Sequence, residues 1–312
     1  MLIAAPNLTL DRILRIDELR PGEVLRFSEA TIAPGGKGVN VARVCRTLGF
    51  PAALVVLAPG RTGRAVVDLL QSEGLEPAAV ASSGEARTAS LITERSGRVT
   101  VLNEPGAVVS RREWEAFEEA VGARLGAHRF LVCIGSTPPG SPPDAYGRLV
   151  RLAREGGMAS LVDASGTSLA AALEAGPDVV TPNLAEAEGL LLGAAPQPAA
   201  ERWPELKDRA IRAAAAMVAH GAATAIVTVG AGVAAARGGE RLWIDAPRVQ
   251  ERSPIGAGDS LVAGLVGSLE RGQDFPDALA YGVAVAAASV ESGRPGLVDP
   301  ERVRALARRD RR

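Results

Sequence analysis

The chain has 312 residues, 47% of them apolar, and a formal charge of −1, enough for one large α/β domain or one domain with a small appendage. The balanced charge provides no positive face for a nucleic-acid backbone, although a local basic pocket for a small anion stays open. Two isolated cysteines, Cys45 and Cys133, and two distant histidines, His128 and His220, fit buried thiols and helix-end surface positions, and form neither a disulfide framework nor a zinc cluster.

No basic leader opens the chain, and no run reaches the ~20 apolar residues of a membrane span. The expected location is the cytoplasm, with no membrane partner. Residues 2–5 predict a first strand. Residues 13–32 carry β-type residues without a helical stripe. A helix is expected over 39–48, a strand over 54–58 and a helix over 64–73. Residues 86–102 read as two strands joined at Ser96-Gly97. Then come a helix over 111–125, a strand over 130–134, a helix over 145–155, and strands over 160–162 and 179–180. Pro196-Gln197-Pro198 marks a surface loop. A helix over 207–219 and a strand over 225–229 follow. The C-terminal part is helical over 259–271, 275–291 and 300–309, with a charged tail at 308–312 that should fray. Strands alternating with helices predict an α/β fold, a mainly parallel sheet sandwiched by helices. The whole chain, 1–312, reads as one domain, with a small β-sheet lid formed by approximately 13–33 and 86–103.

Ser253-Pro254-Ile255-Gly256-Ala257-Gly258-Asp259-Ser260 is the most informative segment. Gly256 and Gly258 permit a tight turn and close backbone approach. The following helix end offers free amides and a positive dipole, which suits a phosphate. Asp259, in that positive region, is expected to stay ionised and to accept a proton from a hydroxyl, an arrangement suited to phosphoryl transfer. An ordinary Asp N-cap after a glycine turn would look the same.

A second turn, Gly35-Gly36-Lys37-Gly38-Val39-Asn40, also runs into a helix. It is not a Walker A loop, because Gly38 stands where Ser or Thr would be. Its glycines would let a sugar approach the backbone, with Asn40 as a hydroxyl partner. Asp11, after the first strand, and Ser136, in Gly135-Ser136-Thr137-Pro138, follow strand ends where α/β sheets place ligand residues. Asn183 and Glu186 are one helical turn apart, a spacing that would organise a hydrated Mg²⁺ or form a capping box. Thr228 and Gly230 end a strand where a nucleotide phosphate could be met. No dinucleotide fingerprint is present, which disfavours a dehydrogenase.

Together these segments resemble the PfkB-type (ribokinase-like) carbohydrate kinases along nearly the whole chain. Gly35-Gly36-Lys37-Gly38-x-Asn40-x-Ala42 looks like the family's N-terminal signature and Gly256-Ala257-Gly258-Asp259 like its C-terminal one. The resemblance implies Asp259 as catalytic base, with the amides of Gly256, Ala257 and Gly258 as an anion hole. It implies ATP as donor, with Asn183, Thr228, Gly230 and Gly258 on the nucleotide, and Mg²⁺ held indirectly through Glu186. K⁺ is left open. Asn7 to Asp11, Arg87, Asn103-Glu104-Pro105-Gly106 and Gly135-Ser136-x-Pro138 look most like the branch of 1-phosphofructokinase, the minor 6-phosphofructokinase type and tagatose-6-phosphate kinase. That branch implies a ketohexose phosphate as acceptor, held by Asp11, Gly35, Gly36, Asn40 and Ser136, with Arg26, Lys37 and Arg87 on its phosphate. The sequence departs from the branch at Ala86-Arg87-Thr88-Ala89-Ser90-Leu91, where T-R-x-N-x-K is usual. It departs again at Leu8-Thr9, at Thr181 and at Gly230-Ala231-Gly232, whose second glycine is displaced by one. A kinase of an unphosphorylated sugar or nucleoside, and a non-catalytic nucleotide- or sugar-binding module, are the alternatives. A homodimer through the lid is expected by analogy.

Overall fold

The computed structural model describes residues 1–193 and 203–309. The loop expected at Pro196-Gln197-Pro198 and the last three residues of the tail lie outside them. The first half of the chain comprises β1 (Leu2–Ala5), β2 (Thr9–Ile16), β3 (Glu29–Gly35), α1 (Lys37–Leu48), β4 (Ala53–Pro59), α2 (Gly60–Ser72), β5 (Ala78–Ser82), β6 (Arg87–Glu94) and β7 (Val99–Asn103). Next come α3 (Arg111–Gly122), β8 (Phe130–Ile134), α4 (Ala145–Glu155), β9 (Ala159–Asp163), α5 (Gly166–Glu174), β10 (Val179–Val180) and α6 (Leu184–Leu192). The remainder is α7 (Trp203–Ala219), β11 (Thr224–Val229), β12 (Gly232–Arg237), β13 (Glu240–Asp245), α8 (Ala257–Glu270), α9 (Phe275–Ser292) and α10 (Pro300–Arg309).

Nine strands form the main sheet in the order β13-β12-β11-β10-β9-β8-β1-β4-β5. It is parallel from β11 to β5, and β12 and β13 add an antiparallel edge. The central strands are apolar on both faces, as a sheet covered twice requires. The two-residue period sends Ile3, Val56, Val132 and Leu161 toward α1, α2, α8, α9 and α10. It sends Leu2, Leu57, Leu131 and Val162 toward α3 to α7. The expected α/β sandwich is what the structure shows. Hairpin β12–β13, strand β5 and helices α5 and α6 were not legible. β12 reads GVAAAR, alanine-rich and without β-branched alternation, and it becomes a strand because β11 and β13 flank it.

A second sheet has the order β3-β2-β6-β7. β2 pairs antiparallel with β3 and parallel with β6. The expected block 13–32 is two strands, the first starting at Thr9, separated by the non-strand segment 17–28. Glu94 ties that segment down by accepting the Leu19 amide at 2.8 Å. Both cysteines are buried and free. His220 directly follows α7 and is exposed, whereas His128 lies in the loop before β8. Among the described residues no helix is long and apolar enough to cross a membrane.

Helices α8 and α9 pack at glycines. A Cβ on Gly264 would lie 2.9 Å from Gly282 Cα, and one on Gly282 would lie 2.9 Å from the Leu261 carbonyl oxygen. Gly282→Val is therefore expected to force the helices apart and destabilise the fold by about 1–3 kcal/mol. A denaturant titration checks this; a midpoint equal to wild type would show that the interface can yield.

Candidate active site

The chain runs outward from β1 to β4 and β5, then returns to β8 on the other side of β1. Such a reversal leaves a crevice beyond the carboxyl ends of the two strands. Asn7 follows β1 and Ser136 follows β8, and the Asn7 amide bridges the gap by donating to Ser136 Oγ at 2.9 Å. A cleft of about 1010 Å³ opens there. It brings together Asp11, Gly35, Gly36, Lys37, Asn40, Arg87, Ser136, Asn183, Glu186, Thr228, Gly230, Gly256, Ala257, Gly258 and Asp259. Arg26 is absent from its lining and lies exposed between β2 and β3.

One end of the cleft is acidic and partly dehydrated. Gly256 caps α8 in the left-handed region, φ 83°, which favours glycine. The Ala257 amide donates to the Pro254 carbonyl at 3.3 Å, so it closes the turn instead of facing a ligand. The amides of Gly258 and Asp259 lie in the first turn, where no intrahelical acceptor precedes them. A Cβ on Gly258 would meet nothing within 4 Å. Asp259 is 5% exposed, and its Oδ2 accepts the Asn40 Nδ2–H at 2.8 Å. Burial, and then the Asp163 carboxylate, push its pKa up to about 7, against the pull of Lys37 and Asn40. Burial thus works against the simply ionised Asp259 expected from its place at the helix end.

Asp163 was missed in the sequence, where its only signal is a carboxylate closing an apolar strand. It accepts Lys37 Nζ–H at 2.6 Å through Oδ1 and Thr181 Oγ–H at 3.3 Å through Oδ2. Burial would lower the Lys37 pKa, but Asp163 and Asp259 hold it above its usual value. Lys37 is thus drawn to the carboxylate end and is not paired with Arg87.

At the other end Asp11 and Arg87 share one face of the small sheet. Asp11 pairs in register with Ala89, two positions from Arg87. A Cβ on Gly35 would lie 2.0 Å from Asp11 Oδ1, so glycine is what lets this carboxylate rest against the neighbouring strand. Burial raises the Asp11 pKa to about 6, opposed by Arg43 and Arg87. Arg87 is half-buried, and its Nε has no hydrogen-bond partner among the described residues.

Between the ends, Asn183 Oδ1 accepts the Glu186 amide at 2.8 Å and Glu186 Oε2 accepts the Asn183 amide at 2.9 Å. This is the capping box; Glu186 still lines the cleft, and burial raises its pKa. The Thr228 amide donates to the Pro182 carbonyl at 3.1 Å, which sets β11's end beside Asn183. The displaced Gly232 has a packing cause: a Cβ there would lie 2.4 Å from the Trp243 ring. Val233, Val249, Val283, Ala287 and Val290 add apolar lining, an apolar slot, to the same cleft as Gly230. Among the described residues no group of three His, Cys, Asp or Glu side chains could hold a metal.

The pfkB family carbohydrate kinase model matches residues 7–302. The 1-phosphofructokinase of Rhodobacter capsulatus is 31% identical over 305 residues, 97% of this chain and 94% of that protein. The 1-phosphofructokinase of Escherichia coli K12 is 30% identical over 304 residues, 94% of this chain and 91% of that protein. Among solved structures, Escherichia coli phosphofructokinase-2 in complex with fructose-6-phosphate superposes with a TM-score of 0.88 at 28% identity, covering 100% of this chain and 99% of that one. The chain belongs to the pfkB family of carbohydrate kinases.

Proposed function

We propose that this kinase transfers the γ-phosphoryl group of ATP to a hydroxyl of a ketohexose phosphate, either fructose 1-phosphate, giving fructose 1,6-bisphosphate, or tagatose 6-phosphate. The observation that carries the acceptor is Arg87: a half-buried guanidinium in the cleft whose Nε lacks a partner among the described residues. A planar fork held this way suits a phosphate dianion. Asp11, Gly36, Asn40 and Ser136 take the sugar hydroxyls, and the small sheet acts as a lid over them. Similar proteins named 1-phosphofructokinase, and the fructose-6-phosphate complex of a similar structure, support the same class. In the lid Ala89 and Leu91 are apolar and buried, so a single arginine carries the phosphate reading, without help from the expected Lys37 and Arg26.

In the reaction Asp259 takes the proton as the acceptor oxygen forms its bond to phosphorus and the bond from phosphorus to the bridging oxygen of ADP breaks. The Gly258 and Asp259 amides face the charge that develops on the transferring group. The apolar slot receives the adenine, and Thr228, Gly230 and Asn183 border the phosphates. The cleft's hard oxygen donors fit Mg²⁺, which commonly binds through one or two carboxylates plus substrate phosphates. Glu186 and Asp163 would hold it there, and the metal would supply charge neutralisation on the phosphates. The enzyme is assigned to the cytoplasm and to a homodimer through the small sheet, where Ile32 and Leu102 are 54% and 58% exposed.

ADP release with ATP and Mg²⁺, with and without K⁺, across fructose 1-phosphate, fructose 6-phosphate, tagatose 6-phosphate, fructose, ribose and adenosine tests the acceptor. Turnover is expected with a ketohexose phosphate; turnover only with free sugar or nucleoside would sink the Arg87 reading. Asp259→Asn should lower kcat about 10²–10⁴-fold. The same variant should be more stable above neutral pH. The penalty for ionising this buried carboxyl is absent below about pH 4, grows until its folded value of about 7, and is full above that, at about 4 kcal/mol. Melting temperatures across pH check this, and equal values at about pH 8 would mean Asp259 ionises without cost. For catalysis the sign is the opposite. The base must be unprotonated, so kcat/KM of the wild type should fall about tenfold per pH unit below about 7. A profile flat down to about pH 5 would contradict the base assignment.

A further inference from the structure

We infer that Arg43 is a positioning residue for the acceptor half of the cleft, holding the Pro34–Gly36 junction through which the small sheet enters α1. The inference rests on the reading above of that half as the sugar site. Arg43 lies on α1, one turn beyond Asn40, with its side chain 11% exposed. Its guanidinium donates to Glu73 from Nε at 2.6 Å and from Nη2 at 2.7 Å, and Nη2 also donates to the Pro34 carbonyl at 2.7 Å. Glu73 caps the C-terminus of α2. One side chain therefore fastens α1 and α2 to the last residue of β3 before Gly35.

That point has little freedom. Gly35 sits against the Asp11 carboxylate with no room for a methyl group, and Gly36 takes a φ of 106° as the N-cap of α1. A shift of the Pro34 carbonyl therefore moves Gly35 relative to Asp11, and with it the carboxylate assigned to the sugar. The guanidinium also acts at a distance on Asp11, where its charge opposes the rise caused by burial. On its far side, a Cβ on Gly296 would lie 3.2 Å from Arg43 Cδ, while the adjoining Pro295 packs on Gly256. The Arg43–Glu73 pair alone would be a structural ion pair. The third bond, to the strand that carries the sugar-side backbone, gives the residue a role in substrate binding.

The test separates the two kinds of bond, using any acceptor that the wild type phosphorylates. Arg43→Ala removes all three bonds and should raise the acceptor KM about tenfold or more, with the KM for ATP and kcat changed less than about threefold. Glu73→Ala leaves the Pro34 bond and should lower the melting temperature with a much smaller change in acceptor KM. The exchange Arg43→Glu with Glu73→Arg restores the pair but not the Pro34 bond, so stability should recover while the acceptor KM stays high. If acceptor KM recovers together with stability in the exchange, or is unchanged in Arg43→Ala, the inference is overturned. Should Arg43→Ala fail to fold, Arg43→Met supplies the same reading, since its apolar side chain keeps the buried stem and donates no hydrogen bond. A wild type that releases no ADP with any sugar overturns the acceptor-site reading itself.

Discussion

The site depends on keeping two carboxylates, Asp163 and Asp259, near one another and away from water. Two like charges in such a place repel, and each loses hydration. Lys37 makes the arrangement tenable by sitting 2.6 Å from Asp163 Oδ1, leaving Asp259 the carboxyl that keeps its proton up to about pH 7. Lys37 can reach there because α1 approaches β1 closely: a Cβ on Gly38 would lie 2.3 Å from Ala5 Cβ. Asp259 is presented by α8, whose position against α9 is set by the mutual approach of Gly264 and Gly282. Small residues in the core thus place the charges in the cleft.

Much of this was legible because it lies in local chain chemistry. The central strands announce themselves as short apolar runs, and both glycine turns sit where a strand or extended segment gives way to a helix. What was not legible lies in tertiary context. Asp163 looks like any strand-ending acid until β9 is laid between β8 and β10. Asp259's elevated pKa follows from burial, which a helix-end argument cannot supply. Arg26 is near the acceptor residues in sequence, but segment 17–28 carries it outward. The Ala257 amide belongs to the turn, a detail decided by the Pro254 carbonyl. The displaced glycine at Gly232 reflects the Trp243 ring of the paired strand.

In the proposed reaction the cleft divides its labour by charge. Asp163, Asp259 and Lys37 make its acidic part, Asp11 and Arg87 its acceptor part, and the β11 turn with the apolar lining its nucleotide part. With Ala89 and Leu91 in place of the usual Asn and Lys, Arg87 is the residue of that pattern left to meet an anion, and its Nε has no partner among the described residues. Loss of those residues therefore does not by itself argue for an unphosphorylated sugar. It shifts phosphate recognition onto fewer, more dehydrated contacts, where each hydrogen bond counts for more.

Asp11 and Asp259 have the same perturbation, burial, and opposite needs. Asp259 is assigned proton transfer, which works best when the pKa lies near the working pH, and its value of about 7 meets that. Asp11 is assigned hydroxyl binding, for which a carboxylate must remain an acceptor. It stays at about 6 because Arg43 and Arg87 oppose its burial. The neighbours differ in sign: the Asp163 carboxylate adds to the effect of burial at Asp259 against Lys37, whereas the Arg43 and Arg87 guanidiniums oppose burial at Asp11. Arg43 is engaged by Glu73 and Pro34 and cannot follow a substrate. Arg87, with an unpartnered Nε among the described residues, is the guanidinium free to respond to one, so binding an anionic acceptor should change the field at Asp11 through Arg87 while Arg43 holds the background fixed.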